Sequence, residues 1–161
     1  MASNSTKSPK QRPVDKIDRN IIRRLQTNGR MSNKDLAKQV NLSSTPCLRR
    51  VGLLEQSGVI KHYKAVLDAE LLGFSVRAFL QITRSRDLSR DKVWEELSAL
   101  PEVIACHVIS GDADLLIEIV ARDMQHYGEI LLEKINKIEG VYDTRSMFSI
   151  RAIKVDGEIP V

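Results

Sequence analysis

A short run of hydroxyl-bearing residues followed by two arginines is the part of the sequence best suited to binding chemistry. Hydroxyl and guanidinium groups are common donors to phosphate oxygens and to the edges of nucleic-acid bases. Arg49 is predicted to bind a guanine edge. The predicted phosphate ligands are basic: Arg50, Lys61 and His62. The predicted backbone or base contacts come from the run itself: Ser43, Ser44, Thr45 and Pro46.

The charge distribution favours nucleic-acid binding over the alternative that Arg49-Arg50 is only a solvated helix face. Residues 1–67 hold 14 lysines and arginines against 4 aspartates and glutamates, a net charge of +10. Residues 68–161 hold 11 against 17, a net charge of −6. A basic segment is expected of a DNA-binding module, because each neutralised phosphate releases condensed counterions. We therefore expect two modules with different partners.

Three short helices are predicted to position these side chains. The first begins after Asp15, carries an apolar stripe and ends at Asn28-Gly29; the second begins at Ser32 and ends at Asn41. The third is capped by Ser43 or Ser44 and ends at Gly58. Its predicted buried face consists of Cys47, Leu48, Val51 and Leu54.

The second and third of these helices, joined by Val40-Asn41-Leu42, form a predicted helix-turn-helix. Such a motif enters the major groove with the N-terminus of its second helix. The domain spans residues 14–67, includes a short linking strand over 60–67, and follows a disordered basic tail, 1–13. We therefore expect double-stranded DNA as a partner.

The second module shows the period-two pattern of strands alternating with helices. Strands are predicted over 74–83, 103–110, 113–121 and 141–155, and helices over 90–100 and 124–137. The order βαββαβ indicates a ferredoxin-like domain, with four antiparallel strands and two helices on one side. The fold class is therefore α+β, with a linker at 68–73, the ferredoxin-like domain at 74–155 and a tail at 156–161.

One face of this predicted sheet needs a cover. Its apolar residues are predicted to be Phe79, Leu116, Val120, Met147 and Ile153. A second copy of the chain is a common solution, so we expect at least a dimer. Loops or helices of the same chain are the alternative.

Several other classes of protein are disfavoured by composition. Cys47 and Cys106 lie far apart, which indicates two reduced thiols rather than a disulfide or a metal site. The three histidines are scattered, with no catalytic motif beside them, so neither an enzyme nor a cofactor is expected. No apolar run is long enough to span a membrane and the N-terminus is polar, so a cytoplasmic protein without membrane contact is expected.

Taken together, several motifs resemble those of the Lrp/AsnC family of leucine-responsive, or feast/famine, regulators. They are Asp18-Arg19-Asn20-Ile21-Ile22, Asn28-Gly29-Arg30, Leu42 to Val51, Ser110-Gly111-Asp112-Ala113-Asp114 and Gly140 to Arg145. The resemblance runs from about Val14 to Val155. It implies a helix-turn-helix followed by an amino-acid-sensing ferredoxin-like domain, which pairs into homodimers that assemble into octamers or related rings.

The family commonly binds its effector between dimers, near the loop that is 111–114 here. Gly111 and Asp112 can offer backbone N–H groups to a carboxylate, and Asp114 can accept from an ammonium group. Thr144 and Ser146 are predicted to contribute from a neighbouring subunit. Ala113 replaces a residue that is often aromatic in the family, which would enlarge or reshape the pocket. Without the resemblance, Gly-Asp would indicate only a hairpin turn.

The sequence thus predicts a sequence-specific transcriptional regulator whose DNA binding or assembly is modulated by an amino acid. The alternative is an architectural protein of nucleoid type that coats DNA without sensing a ligand. The effector, the operator, the direction of regulation and the oligomer beyond a dimer stay open.

Overall fold

A computed structural model describes residues 13–85, 90–155 and 157–161. These residues form two compact units. The first comprises the described part of Met1–Val66 together with Lys154–Val161, and the second comprises Leu67–Ile153. The predicted basic tail, 1–13, lies outside the described residues except for Pro13.

The first unit contains the three predicted helices. They are α1 (Lys16–Thr27), α2 (Asn33–Gln39) and α3 (Ser44–Gln56). Aliphatic side chains from all three meet in one core: Ile21, Ile22, Leu36, Ala37, Val40, Cys47 and Leu54. Burial of these side chains is what holds such short helices together, because isolated helices of this length are marginal in water.

The turn between α2 and α3 has the backbone geometry that the sequence predicts. Asn41 adopts a left-handed conformation with φ of 55°, which asparagine tolerates better than most residues. The Asn33 side-chain amide donates to the Ser44 carbonyl oxygen at 2.9 Å. These features fix the start of α3 relative to α2.

Two expectations for the first unit are wrong. Residues 57–75, all of them described, contain no strand, so the predicted linking strand over 60–67 is an irregular segment. Leu48 is 60% exposed rather than buried. It lies one position after the buried Cys47, and a step of about 100° along a helix is enough to turn it away from the core.

The second unit has the predicted ferredoxin-like fold. Its elements are β1 (Val76–Arg84), α4 (Arg90–Ser98), β2 (Val103–Val108), β3 (Leu115–Ala121), α5 (Met124–Glu129) and β4 (Val141–Phe148). A π-helical turn, Ile130–Lys134, and a 3-10 turn, Ile135–Lys137, continue α5. All strand pairs are antiparallel, in the order β2-β3-β1-β4.

Alternate residues of the central strands separate the two faces of the sheet. Leu80 and Ile82 of β1 are fully buried, as are Ile117 and Ile119 of β3, and they share one core with Leu97 of α4. The opposite face carries half-buried or exposed residues, among them the predicted Phe79, Leu116, Val120 and Met147. This alternation is typical of a sheet covered on one side by helices.

The last strand is shorter than predicted. β4 ends at Phe148 and no strand follows it in the described residues, so the prediction of a strand to Val155 is wrong, and Ile153, 94% exposed, does not join the sheet face. The cause is the partner strand: Phe148 pairs with Ala78, and β1 begins only two residues before that. Residues 157–161, predicted as a tail, lie with the first unit.

Candidate nucleic-acid interface and ligand pocket

The start of α3 presents the predicted polar side chains to solvent. Ser43, Ser44, Thr45 and Arg49 are exposed, and Pro46 is half-buried in the first turn. Ser43 precedes the helix but makes no side-chain capping hydrogen bond. Backbone N–H groups at the first turn of a helix are suited to a phosphate. The geometry is thus that of a helix whose N-terminus can meet DNA.

The exposed face of α3 also contains a residue that the sequence reasoning missed. Leu48 lies three residues after Thr45 and next to Arg49, so all three project from the same side of the helix. An exposed aliphatic side chain there suits the methyl group of thymine. The i, i+3 spacing from Thr45 was the signal that placed it on this face.

Arg50 has a different environment from its neighbour. Its Nη1 donates to Asp15 Oδ2 at 2.7 Å and to Asp18 Oδ1 at 2.8 Å. These hydrogen bonds raise the pKa of the Arg50 guanidinium, and the bond to Asp15 has the larger effect. The electrostatic attraction of both carboxylates acts in the same direction. The structure therefore argues against the predicted phosphate contact, because this charge is already neutralised within the unit.

Two other predicted phosphate ligands follow the helix. Lys61 and His62 are exposed in the irregular segment after α3. Their side chains reach solvent, where they are accessible to a phosphate. Their phosphate contacts stay predictions.

A small cavity opens on the face of the sheet away from the helices. It has a volume of about 70 Å³ and is lined by Gln81, Thr83, Asp112, Ala113, Asp143 and Arg145. Gly111, at the tip of the predicted loop, has φ of 129°, a conformation that favours glycine. The loop 111–114 therefore joins β1 and β4 in forming one polar site.

Asp114 is held by the end of β1 instead of being free for a ligand. Its Oδ2 accepts from the Arg84 backbone N–H at 2.8 Å, and its Oδ1 lies 3.8 Å from Arg84 Nε. Its own N–H donates to the Ile82 carbonyl oxygen at 3.0 Å. The structure thus argues against Asp114 as the acceptor for an ammonium group. Its hydrogen bonds instead fix the loop 111–114 to the end of β1.

Thr144 and Ser146 lie on the helix side of the sheet. They pair with the buried Ile82 and Leu80 of β1, and directly opposed residues share a face. The Tyr127 hydroxyl donates to Ser146 Oγ at 2.6 Å. The structure therefore argues against their predicted role. The residues of β4 that line the cavity are the odd-numbered neighbours, Asp143 and Arg145, because a shift of one residue along a strand reverses the face.

Comparison with known proteins gives the family. The sequence model of the Lrp/AsnC ligand binding domain matches residues 77–159, more than half of the chain. The chain belongs to the Lrp/AsnC family. A winged helix-turn-helix DNA-binding model matches residues 14–61. An Lrp/AsnC chain thus combines a DNA-binding domain with a ligand-binding domain, as the sequence motifs predict.

Relatives of this Lrp/AsnC chain extend over nearly its whole length. The leucine-responsive regulatory protein of Salmonella typhimurium is 39% identical over 159 residues, which cover 94% of this chain and 96% of the relative. That of Escherichia coli is 38% identical with the same coverage. Both relatives are named as regulatory proteins, which agrees with the sequence-based expectation of a regulator.

Solved structures of the family confirm the fold. A transcriptional regulator of Neisseria meningitidis, solved as a complex with L-methionine, superposes with a TM-score of 0.89 at 32% identity, covering 92% of this chain and 97% of that one. A feast or famine regulatory protein of M. tuberculosis, also complexed with L-methionine, gives a TM-score of 0.84 at 28% identity, covering 89% and 97%.

Among the described residues, no helix is long and apolar enough to cross a membrane.

Proposed function

We propose that this regulator binds double-stranded DNA through the exposed N-terminal end of α3 and senses a free amino acid at the cavity beside loop 111–114. The observation that carries the proposal is the polar cavity on the sheet, where one guanidinium group and two carboxylates line the same small space. The two L-methionine complexes among its structural neighbours support the choice of an amino acid. They also favour a sensing role over the architectural alternative.

The cavity has the charges that a zwitterion needs. Arg145 can bind the α-carboxylate with paired hydrogen bonds, and Asp112 and Asp143 can accept from the α-ammonium group. Ala113 leaves room for the ligand's side chain beside the loop. This assignment replaces the predicted set of Asp114, Thr144 and Ser146, whose side chains are engaged elsewhere.

A second copy of the chain is needed to complete the site. Ligand pockets usually enclose about 300–1,000 Å³, whereas this cavity has only about 70 Å³. The open sheet face also leaves Phe79, Leu116 and Met147 without full cover in one chain. We therefore infer a homodimer paired through the second unit, and assembly of dimers into an octamer or related ring. A DNA-binding regulator works where the chromosome lies, so we place it in the cytoplasm.

Arg145→Ala is expected to abolish amino-acid binding. A ligand that binds only the folded state at 100-fold above its Kd stabilises by about 2.7 kcal/mol, which raises Tm by several degrees. We expect one or a few of the twenty amino acids, tested singly and including L-leucine and L-methionine, to give this shift with the wild-type protein. The shift should vanish in Arg145→Ala, because the carboxylate loses its partner.

The matched control for this experiment is Thr144→Val. Thr144 is the next residue of β4, but its side chain lies on the helix side, so its variant should keep the full ligand-induced shift. Loss of the shift in Thr144→Val with retention in Arg145→Ala would contradict the assignment of the site. No shift with any amino acid in the wild-type protein would favour the architectural alternative.

A further inference from the structure

Residues 157–161 make an ordered set of hydrogen bonds to one helix of the first unit. The Gln26 side chain of α1 bonds both backbone groups of one residue: its Nε2 donates to the Ile159 carbonyl oxygen at 3.0 Å, and its Oε1 accepts from the Ile159 N–H at 2.8 Å. Such a pair of hydrogen bonds between a side-chain amide and one residue's backbone fixes the segment in one position and direction. The segment is therefore docked on α1.

Two neighbours of Gln26 on α1 extend this docking surface. Arg23 Nε donates to the Val161 carbonyl oxygen at 2.8 Å, and the Thr27 hydroxyl donates to Glu158 Oε1 at 2.9 Å. Val161 is half-buried and packs against the core of the first unit. Three side chains within two turns of α1 thus bind three of the last four residues.

The recognition is mainly of the backbone. Ile159 is 70% exposed, so its side chain adds little burial, whereas both of its backbone groups are bound. Peptides recognised in this way bind through main-chain hydrogen bonds, and exposed bonds of this kind open and close readily. The docked segment is therefore suited to reversible attachment.

We propose that residues 157–161 form a latch that ties the DNA-binding unit to the ligand-binding unit by a second connection, which is closed by hydrogen bonds to α1. The chain leaves the first unit after Val66 and returns to it at Lys154. The family model extends the ligand-binding domain to residue 159, yet the last residues of that span bind α1. With the latch closed, two segments of the chain connect the DNA-binding unit to the ligand-binding unit. With the latch open, only the segment after Val66 does so.

The latch affects DNA binding because several DNA-binding units must meet spaced half-sites together. A doubly tethered unit samples fewer orientations, which raises its effective concentration at the second half-site. This effect on DNA affinity rests on the proposed function, whereas the docking of 157–161 does not. The two parts are separable by experiment.

The test compares Gln26→Ala with Gln56→Ala in the full chain. Alanine keeps α1 helical, and Gln56 is an exposed residue at the end of α3 that lies outside the docking surface. Hydrogen exchange of the Ile159 amide, followed by NMR, reports docking. We expect protection in the wild-type protein and in Gln56→Ala, and its loss in Gln26→Ala.

The same three proteins are titrated, without amino acid, onto a DNA fragment selected by the wild-type protein from a random pool. Gln26→Ala should bind about three- to tenfold more weakly, and Gln56→Ala should match the wild type. An Ile159 amide that exchanges in the wild-type protein as in an unstructured peptide would overturn the latch. Loss of protection in Gln26→Ala with unchanged DNA affinity would overturn its tethering role. A wild-type protein that selects no DNA would refute the proposed function, and the exchange result would then decide docking alone.

Discussion

Asp18→Ala is expected to destabilise the DNA-binding unit by about 3–5 kcal/mol. The Asp18 side chain is 1% exposed and accepts from Arg50 Nη1 at 2.8 Å. Its Oδ2 also accepts from the Asp15 backbone N–H at 3.2 Å, as the returning half of the capping box that begins α1. Removing the carboxylate leaves a largely buried guanidinium with one partner fewer and removes one of the two hydrogen bonds of the capping box.

The size of this effect follows from the asymmetry of buried charge. The Arg50 side chain is only 19% exposed, so water cannot fully replace the lost carboxylate. A domain is stable by about 5–15 kcal/mol in all, so a loss of this size leaves the unit close to unfolding. Arg50→Ala should have a comparable effect, because it leaves the buried carboxylate of Asp18 without its guanidinium.

Urea unfolding followed by two probes measures this loss. Trp94 is the single tryptophan and lies in the second unit, so its fluorescence reports that unit, whereas far-ultraviolet circular dichroism includes the helices of the first. Arg49→Ala is the matched control, since an exposed arginine on the same helix should change stability by less than about 0.5 kcal/mol. An Asp18→Ala protein within about 1 kcal/mol of the wild type would contradict the structural role of the cluster.

Arg49→Ala is expected to weaken specific DNA binding by about 1–3 kcal/mol, or roughly 5- to 150-fold. Arg49 is exposed on the face of α3 that begins with Ser44 and Thr45. A guanidinium there can make paired hydrogen bonds to O6 and N7 of a guanine. Its removal should reduce the preference for one base pair of the selected site while leaving the fold intact.

A fluorescence anisotropy titration against the selected fragment and against the same fragment with that base pair changed measures the preference. Lys61→Ala is the control. Removal of a lysine that binds only phosphate should weaken binding to both fragments equally and reduce the slope of log affinity against log salt concentration by about one. If Arg49→Ala retained the wild-type ratio of the two affinities, base reading by Arg49 would be refuted.

Much of the fold follows from local signals in the sequence. Ser32 and Asn41 place the ends of α2, and period-two alternation identifies the central strands, because both features depend on residues close in the chain. Local patterns alone are therefore enough to predict the helix-turn-helix and the βαββαβ order. The Asp15–Asp18 capping box was equally local, at the i, i+3 spacing typical of such boxes.

The features that local patterns do not reveal are those that depend on residues distant in the chain. Arg49 and Arg50 are alike in sequence, and only the position of α1 reveals that Arg50 meets two carboxylates. The face of Thr144 and Ser146 depends on their register against β1, and β4 ends close to the residue at which its partner strand β1 begins. The docking of 157–161 on Gln26 joins residues 133 positions apart, which no local pattern indicates.

The measurement that most directly tests the central claim is DNA affinity with and without a bound amino acid. The wild-type protein is titrated onto its selected fragment in the absence and in the saturating presence of the amino acid that gives the largest thermal shift. Coupling between two sites usually amounts to about 1–3 kcal/mol, so we predict a change in Kd of at least about fivefold, or a changed number of protein chains per DNA. An amino acid that binds the protein but leaves both quantities unchanged would contradict a regulator that senses amino acids.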